Sequence, residues 1–154
     1  MGFVLNHAVE QPTFESILDE LKVSNDPVVK QDRVEGMQVF RGGPVEQGRG
    51  FVLHSLDYGS TNTSRVGSLC GVTGTLDALK RIASSNPPAR SLMVLGYTGW
   101  AAGQLEQEIA ENGWLTVDAT STLVFDVAYE KKYDEALAML GISESMLSSI
   151  AGHA

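Results

Sequence analysis

One cysteine, Cys70, is all the thiol chemistry in this chain of 154 residues. It excludes an intrachain disulfide framework and a cysteine-based zinc cluster within one chain, and it suits a reducing cytoplasm. Positive charge is scarce as well. Eleven Lys and Arg stand against nineteen Asp and Glu, a net charge of −8, so the overall field repels nucleic acid and anionic membrane surfaces. Lys80-Arg81 and Lys131-Lys132 are only pairs, expected on the solvated faces of helices. No apolar run approaches the roughly 18 residues a membrane helix needs, and no charged leader precedes an apolar signal segment. A soluble, cytoplasmic protein with no membrane partner is expected.

Familiar ligand and catalytic motifs are missing too. Gly96, Gly99 and Gly103 have the wrong spacing for G-x-G-x-x-G or for G-x-x-x-x-G-K-[ST], and no lysine follows them. There is no G-x-S-x-G elbow and no H-E-x-x-H helix. His7, His54 and His153 have no local metal spacing. Cys70 with His54 is the one conceivable thiol pair, and the apolar strand around Cys70 argues for an inert, packed thiol. No cofactor and no metal are assigned.

What is present is enough apolar content, 43%, for one core, so a single domain over 1–154 is expected. Gly2 to Leu5 reads as a strand. Phe14, Ile17, Leu18 and Leu21 make the stripe of a short helix with Thr13 as N-cap. Ser24 to Glu35 reads as a loop. Met37–Arg41, Phe51–His54 and Val66–Val72 read as strands. Gly50-Phe51-Val52-Leu53 repeats Gly2-Phe3-Val4-Leu5, as two similar core strands rather than an internal repeat. Leu76, Leu79, Ile82 and Ala83 face inward on a helix capped by Thr73 or Thr75. Leu92–Leu95 is a strand leading through Gly96 and Gly99 into a helix from about Ala101. Strands follow over Leu115–Val117 and Leu123–Val127. A helix then runs from Glu130 to Leu140, with Tyr133, Ala136, Leu137 and Leu140 inward and a stop at Gly141. Ser143 caps a last helix through Ile150, and a loose tail ends the chain. The irregular interleaving predicts an α+β fold with a mixed sheet and external helices.

The richest stretch runs from Val94 to Trp114. On its helix Glu108 shares a face with Leu105 and Ile109, which should point into the core. A carboxylate placed there is either a general acid or base with a raised pKa or a structural group tied to backbone amides or to an arginine, Arg41 or Arg65. Gln104, one turn away, can join it at the mouth of a pocket. Free amides near Ala102 to Gln104 favour an anion, and Tyr97, Trp100 and Trp114 form either a ligand wall or core.

Several blocks together resemble the bacterial YqgE/AlgH family. They are Gly2-Phe3-Val4-Leu5-Asn6, Gly42-Gly43-Pro44-Val45, Gly50-Phe51-Val52-Leu53-His54, Thr75-Leu76-Asp77-Ala78-Leu79, Leu95-Gly96-Tyr97, Gly99-Trp100, Gly103-Gln104-Leu105-Glu106, Glu108, and Trp114-Leu115. The likeness spans essentially the whole chain. It implies a mixed sheet curled into a pseudo-barrel flanked by helices, and no established activity, although some members are labelled transcriptional regulators. Members usually have a further segment before the position of Gly2. Its absence leaves strand backbone to be paired by another chain, in a homo-oligomer for example, or means that a longer gene has been read short.

The functional expectation is a non-enzymatic domain that binds a protein or a small ligand. Its expected surface comprises Arg41, Gly42, Gly43, Gly96, Tyr97, Gly99, Trp100, Gln104 and Glu108. The alternative is an enzyme using Glu108 in a pocket walled by Tyr97 and Trp100. A DNA-binding regulator is disfavoured by the acidic balance, and nucleic acid is not an expected partner.

Overall fold

The computed structural model describes residues 1–23, 27, 34 and 36–150, the last three of these by backbone alone. Most of the loop expected over Ser24 to Glu35, and the expected tail, lie outside the described residues. The chain divides into two compact units, residues 1–99 and residues 100–154. Acidity is uneven between them. The second unit holds nine of the nineteen acidic residues but two of the eleven basic ones.

In the first unit, six strands build one mixed sheet: β1 (Ala8–Val9), β2 (Val39–Arg41), β3 (Val45–His54), β4 (Thr63–Val66), β5 (Cys70–Thr73) and β6 (Ser91–Tyr97). Their order is β1-β2-β6-β3-β5-β4. Only the β2 and β6 pair is parallel. The α+β class and the helix-flanked mixed sheet are as expected, and among the described residues β1 and β4 are the outer strands. Among the described residues the sheet does not close into a barrel.

Two helices cover one face. Helix α1 (Phe14–Glu20) starts at Thr13, whose backbone is extended and whose hydroxyl accepts the Ser16 amide at 3.1 Å, as an N-cap should. Helix α2 (Leu76–Ala83) buries Ala78, Leu79, Ile82 and Ala83. Cross-strand register puts Val39, Met93 and Val52 side by side, and these three join Phe14, Ile17, Leu18 and the buried side of α2 in the core. Because strand side chains alternate, the next row, Phe40, Val94 and Phe51, lies on the opposite face and is buried as well.

Some expected strands differ. Gly2 to Leu5 is not a strand: Gly2 makes one bridge to Thr98, and the Val4 amide donates to the Gly42 carbonyl. The run read as one strand from Val66 to Val72 is a hairpin, because Gly67, at φ +52°, turns the chain and pairs Val66 with Cys70.

The second unit is helical. It contains α3 (Gln104–Ala110), a π-helical turn (Thr122–Asp126), a 3-10 turn (Tyr129–Lys131), α4 (Lys132–Met139) and α5 (Glu144–Ile150). Neither Leu115–Val117 nor Leu123–Val127 is a strand. Short apolar runs fit a buried helical turn as well as a strand, and here the Lys132 ammonium takes the Leu123 and Val124 carbonyls that a ladder would have used. Gly141, at φ +73°, ends α4 where expected. Leu137 is buried, but Tyr133 and Leu140, expected inward, are 47% and 38% exposed.

Candidate functional site

The two glycine-rich loops of the first unit meet. The Gly42 amide donates to the Leu95 carbonyl at 2.7 Å. A Cβ on Gly42 would lie 2.4 Å from the Gly96 carbonyl oxygen, and one on Gly96 would lie 2.8 Å from the Gly43 oxygen. Backbone packs on backbone with no room for a side chain. Gly96 also needs glycine for its φ of +69°. Sequence reasoning named Gly42, Gly43, Gly96 and Tyr97, and the fold brings them together. Arg41 and Gly99 are exposed beside them.

Next to this corner β3 bulges. Val45 pairs with Tyr97 and Gly50 with Leu95, so β3 takes five residue steps where β6 takes two. The surplus, Glu46 to Arg49, is thrown out over Gly96, whose missing side chain would come within 3.2 Å of the Gln47 Cα. Bulges re-aim side chains and recur beside binding sites. Glu46 accepts from the Tyr97 hydroxyl at 3.2 Å and from Arg49 at 2.9 Å, and these bonds hold its pKa below the ordinary carboxylate value. The Arg49 guanidinium also lies 5.1 Å from the centre of the Phe51 ring. Two contacts thus fix one cation at the lip of the bulge.

The bulge forms one wall of a cleft of about 450 Å³. Its floor is the sheet at Gly50, Val52, Met93 and Leu95. Ile17 and Leu21 from α1 and Leu76 and Leu79 from α2 form its sides. Gly48, Gly50 and Gly74 are among its lining residues. A Cβ on Gly50 would sit 2.5 Å from the Met93 methyl. Its size falls within the range of small-molecule pockets. None of the nine residues expected to bind ligand lines it. The available signal was the small-residue spacing Gly48-x-Gly50 and Thr73-Gly74-Thr75, set between aliphatic stretches.

Polar groups border the cleft. Thr73 bonds His54 Nε2 at 2.9 Å and the Thr63 hydroxyl at 2.8 Å, while His54 Nδ1 lies 2.9 Å from the Ser55 carbonyl. A carbonyl can only accept, so Nδ1 carries a proton. In the neutral ring Nε2 then accepts from Thr73, and Thr73 from Thr63, which in turn receives the Ser60 amide at 2.9 Å. Every donor in this row has an acceptor. Thr75 differs: its Oγ1 is buried without a partner, and although it occupies the N-cap of α2 it makes no cap bond.

In the second unit Glu108 is saturated. One carboxylate oxygen accepts from the indoles of Trp114 at 2.7 Å and Trp100 at 3.0 Å, and the other accepts from Gln104 at 2.9 Å. The Trp114, Gln104 and Trp100 bonds together lower its pKa, against the rise that burial was expected to cause. Neither Arg41 nor Arg65 is among these partners. Leu105 and Ile109 do not reach a core either: α3 buries no residue, and Ile109 is 38% exposed. The Trp100 and Trp114 rings meet edge to face, 5.8 Å apart. Tyr97 packs within the first unit against Phe51, at 6.0 Å. Elsewhere, burial pushes the Cys70 thiol pKa up. Among the described residues no group of three or more His, Cys, Asp or Glu is placed to hold a metal, and no helix is long and apolar enough to cross a membrane.

An open mixed sheet with helices on one face and a cleft beside a bulged strand defines a small α+β domain. The sequence profile described as AlgH-like matches residues 1–145, and the chain belongs to that family. It is similar to UPF0301 proteins of Agrobacterium fabrum and of Rhizobium etli, each 46% identical over 156 residues that cover all of this chain and 77% of the relative. It is also similar to the AlgH protein from Pseudomonas aeruginosa in solution, with a TM-score of 0.75 at 36% identity, over 100% of this chain and 79% of that one. The names of these relatives state no activity.

Proposed function

We propose that this protein is a non-enzymatic, cytoplasmic binding domain whose small ligand enters the cleft between α1, α2 and the bulge of β3. The observation that carries this reading is the cavity itself: about 450 Å³, lined largely by aliphatic side chains. A concave, mostly apolar site with a few polar groups at its rim is the usual form of a ligand pocket. The enzyme reading loses support because Glu108 already accepts three hydrogen bonds that favour its ionised form, which suits a structural acceptor better than a proton donor. The acidic second unit weighs against a DNA-binding role.

The test is a thermal-shift screen of the full chain with small apolar compounds, repeated with Leu21→Trp. A ligand of the native state raises the melting temperature by mass action, and an indole at the cleft's mouth should remove that rise. If no compound shifts the melting temperature, or if the shift survives Leu21→Trp, the cleft is not the site.

A further inference from the structure

We infer that one face of helix α3, with the two tryptophans tied to it, is a docking surface for a basic, amphipathic segment of a partner protein. The surface lies within the second unit, and nothing in it depends on the cleft of the first.

Helix α3 buries none of its residues. Leu105, Glu108 and Ile109 fall within about 100° of one another around its axis, and Ile109 is 38% exposed. The Trp114 and Trp100 indoles both donate to the Glu108 carboxylate, so the two rings continue this face. Trp114 and the adjoining Leu115 are 47% and 57% exposed. Such a face is convex, whereas small ligands take concave sites. Helix faces are covered instead by other chain segments that lay their own apolar side chains on them. Tryptophan is enriched at the energetic centres of protein interfaces. Trp100 and Trp114 are already held by Glu108 and by their edge-to-face contact, so they lose little freedom when a partner covers them.

Charge selects the occupant. From residue 91 to residue 130 the chain has six Asp and Glu and no Lys or Arg. Two of the six border the apolar face: by helical spacing Glu106 flanks it on the Ile109 side and Glu111 on the Glu108 side, and both are exposed. A second copy set face to face would bring like charges together, and an anionic membrane is repelled in the same way. A segment that carries lysine or arginine beside its apolar side chains meets both the aromatic surface and its acidic borders.

The test is titration of the full chain with three synthetic peptides of about four helical turns. One carries leucines at i, i+3, i+4 and i+7 and lysines elsewhere, one has glutamates in place of the lysines, and one scrambles the lysine peptide so that no apolar stripe remains. Trp100 and Trp114 are the two tryptophans of the chain, so with tryptophan-free peptides the intrinsic fluorescence reports from this surface. The patterned lysine peptide should shift the emission and bind about tenfold more tightly than either of the others. Ile109→Gln with Leu115→Gln keeps the net charge and should weaken that binding about tenfold. Glu106→Gln with Glu111→Gln should weaken it and flatten its salt dependence, and this pair decides the matter if the first fails to fold. Val66→Gln, at a comparably exposed apolar position of the first unit, should leave binding unchanged. Equal binding of the lysine and glutamate peptides, equal binding of the patterned and scrambled ones, indifference to both pairs of substitutions, or no binding at all would overturn the inference. Self-association of the native chain in light scattering that Leu115→Gln abolishes would overturn it in favour of a second copy.

Discussion

Gly43 lies so tightly against Tyr97 that a β-carbon on it would sit 2.3 Å from the Tyr97 carbonyl carbon. The contact is between main chains, so no rotamer change can relieve it. Gly96 adds a left-handed backbone to the same corner. Gly43→Ala and Gly96→Ala should both destabilise the protein in urea titrations. For Gly96→Ala the left-handed conformation alone costs about 1–2 kcal/mol. Gly59→Ala, at a position with nothing within 4 Å, should change stability by less than about 0.5 kcal/mol. Equal effects at Gly59 and Gly96 would contradict the close approach.

Two threonines at helix starts should respond in opposite ways. Thr13 caps α1 with its hydroxyl, and Thr13→Val should cost about 0.5–2 kcal/mol. Thr75 holds the equivalent position on α2, but its buried hydroxyl has no partner. Thr75→Val removes an unsatisfied polar atom and should be neutral or stabilising. Chemical denaturation of both variants decides it, and a loss at Thr75 equal to that at Thr13 would show that the hydroxyl is engaged after all.

Thr73 is the middle of the row joining His54 to Thr63. Thr73→Val keeps the shape and leaves the His54 ring nitrogen without its donor, which should cost about 1–3 kcal/mol. Nitrogen-15 NMR of the native protein should show the neutral His54 ring protonated at Nδ1. A ring protonated at Nε2 alone would break the proposed order.

The carboxylate of Glu108 titrates below its ordinary value of 4.5, because Trp114, Gln104 and Trp100 favour its charged form. With the folded pKa depressed, the stability these bonds contribute is present above the unfolded value and is lost as pH falls through the folded one. The indole N–H resonances of Trp100 and Trp114 should therefore hold their positions from neutral pH down to about 4.5 and move together below it. Glu108→Gln should abolish that titration. Two indole signals that move independently would separate the three groups.

The architecture was legible where one local signal settled each element. The stripe from Phe14 to Leu18, the N-cap at Thr13 and the stop at Gly141 all depend on neighbours within a turn or so. Gly42, Gly43 and Gly96 were named for one surface, but the contact between them joins residues far apart in the chain, and no local signal announces it. Leu123 to Val127 went astray because a short, mostly apolar run fits either state, and the deciding partner, Lys132, lies further along the chain. The cleft left no compact motif. Its walls come from α1, β3, α2 and β6, with Gly48, Gly50 and Gly74 among its lining residues.

Strand β6 lies between β2 and β3 and, among the described residues, makes the only parallel pairing in the sheet. It is also the last of the six strands in chain order. On the ribosome, the antiparallel group in which β5 pairs with both β3 and β4 can form early, but β1 and β2 stay apart from it until residues 91–97 have emerged to join the halves. Folding of the first unit therefore waits on its final strand, and a nascent chain stalled before Ser91 exposes two unfinished sheet fragments to chaperones and proteases.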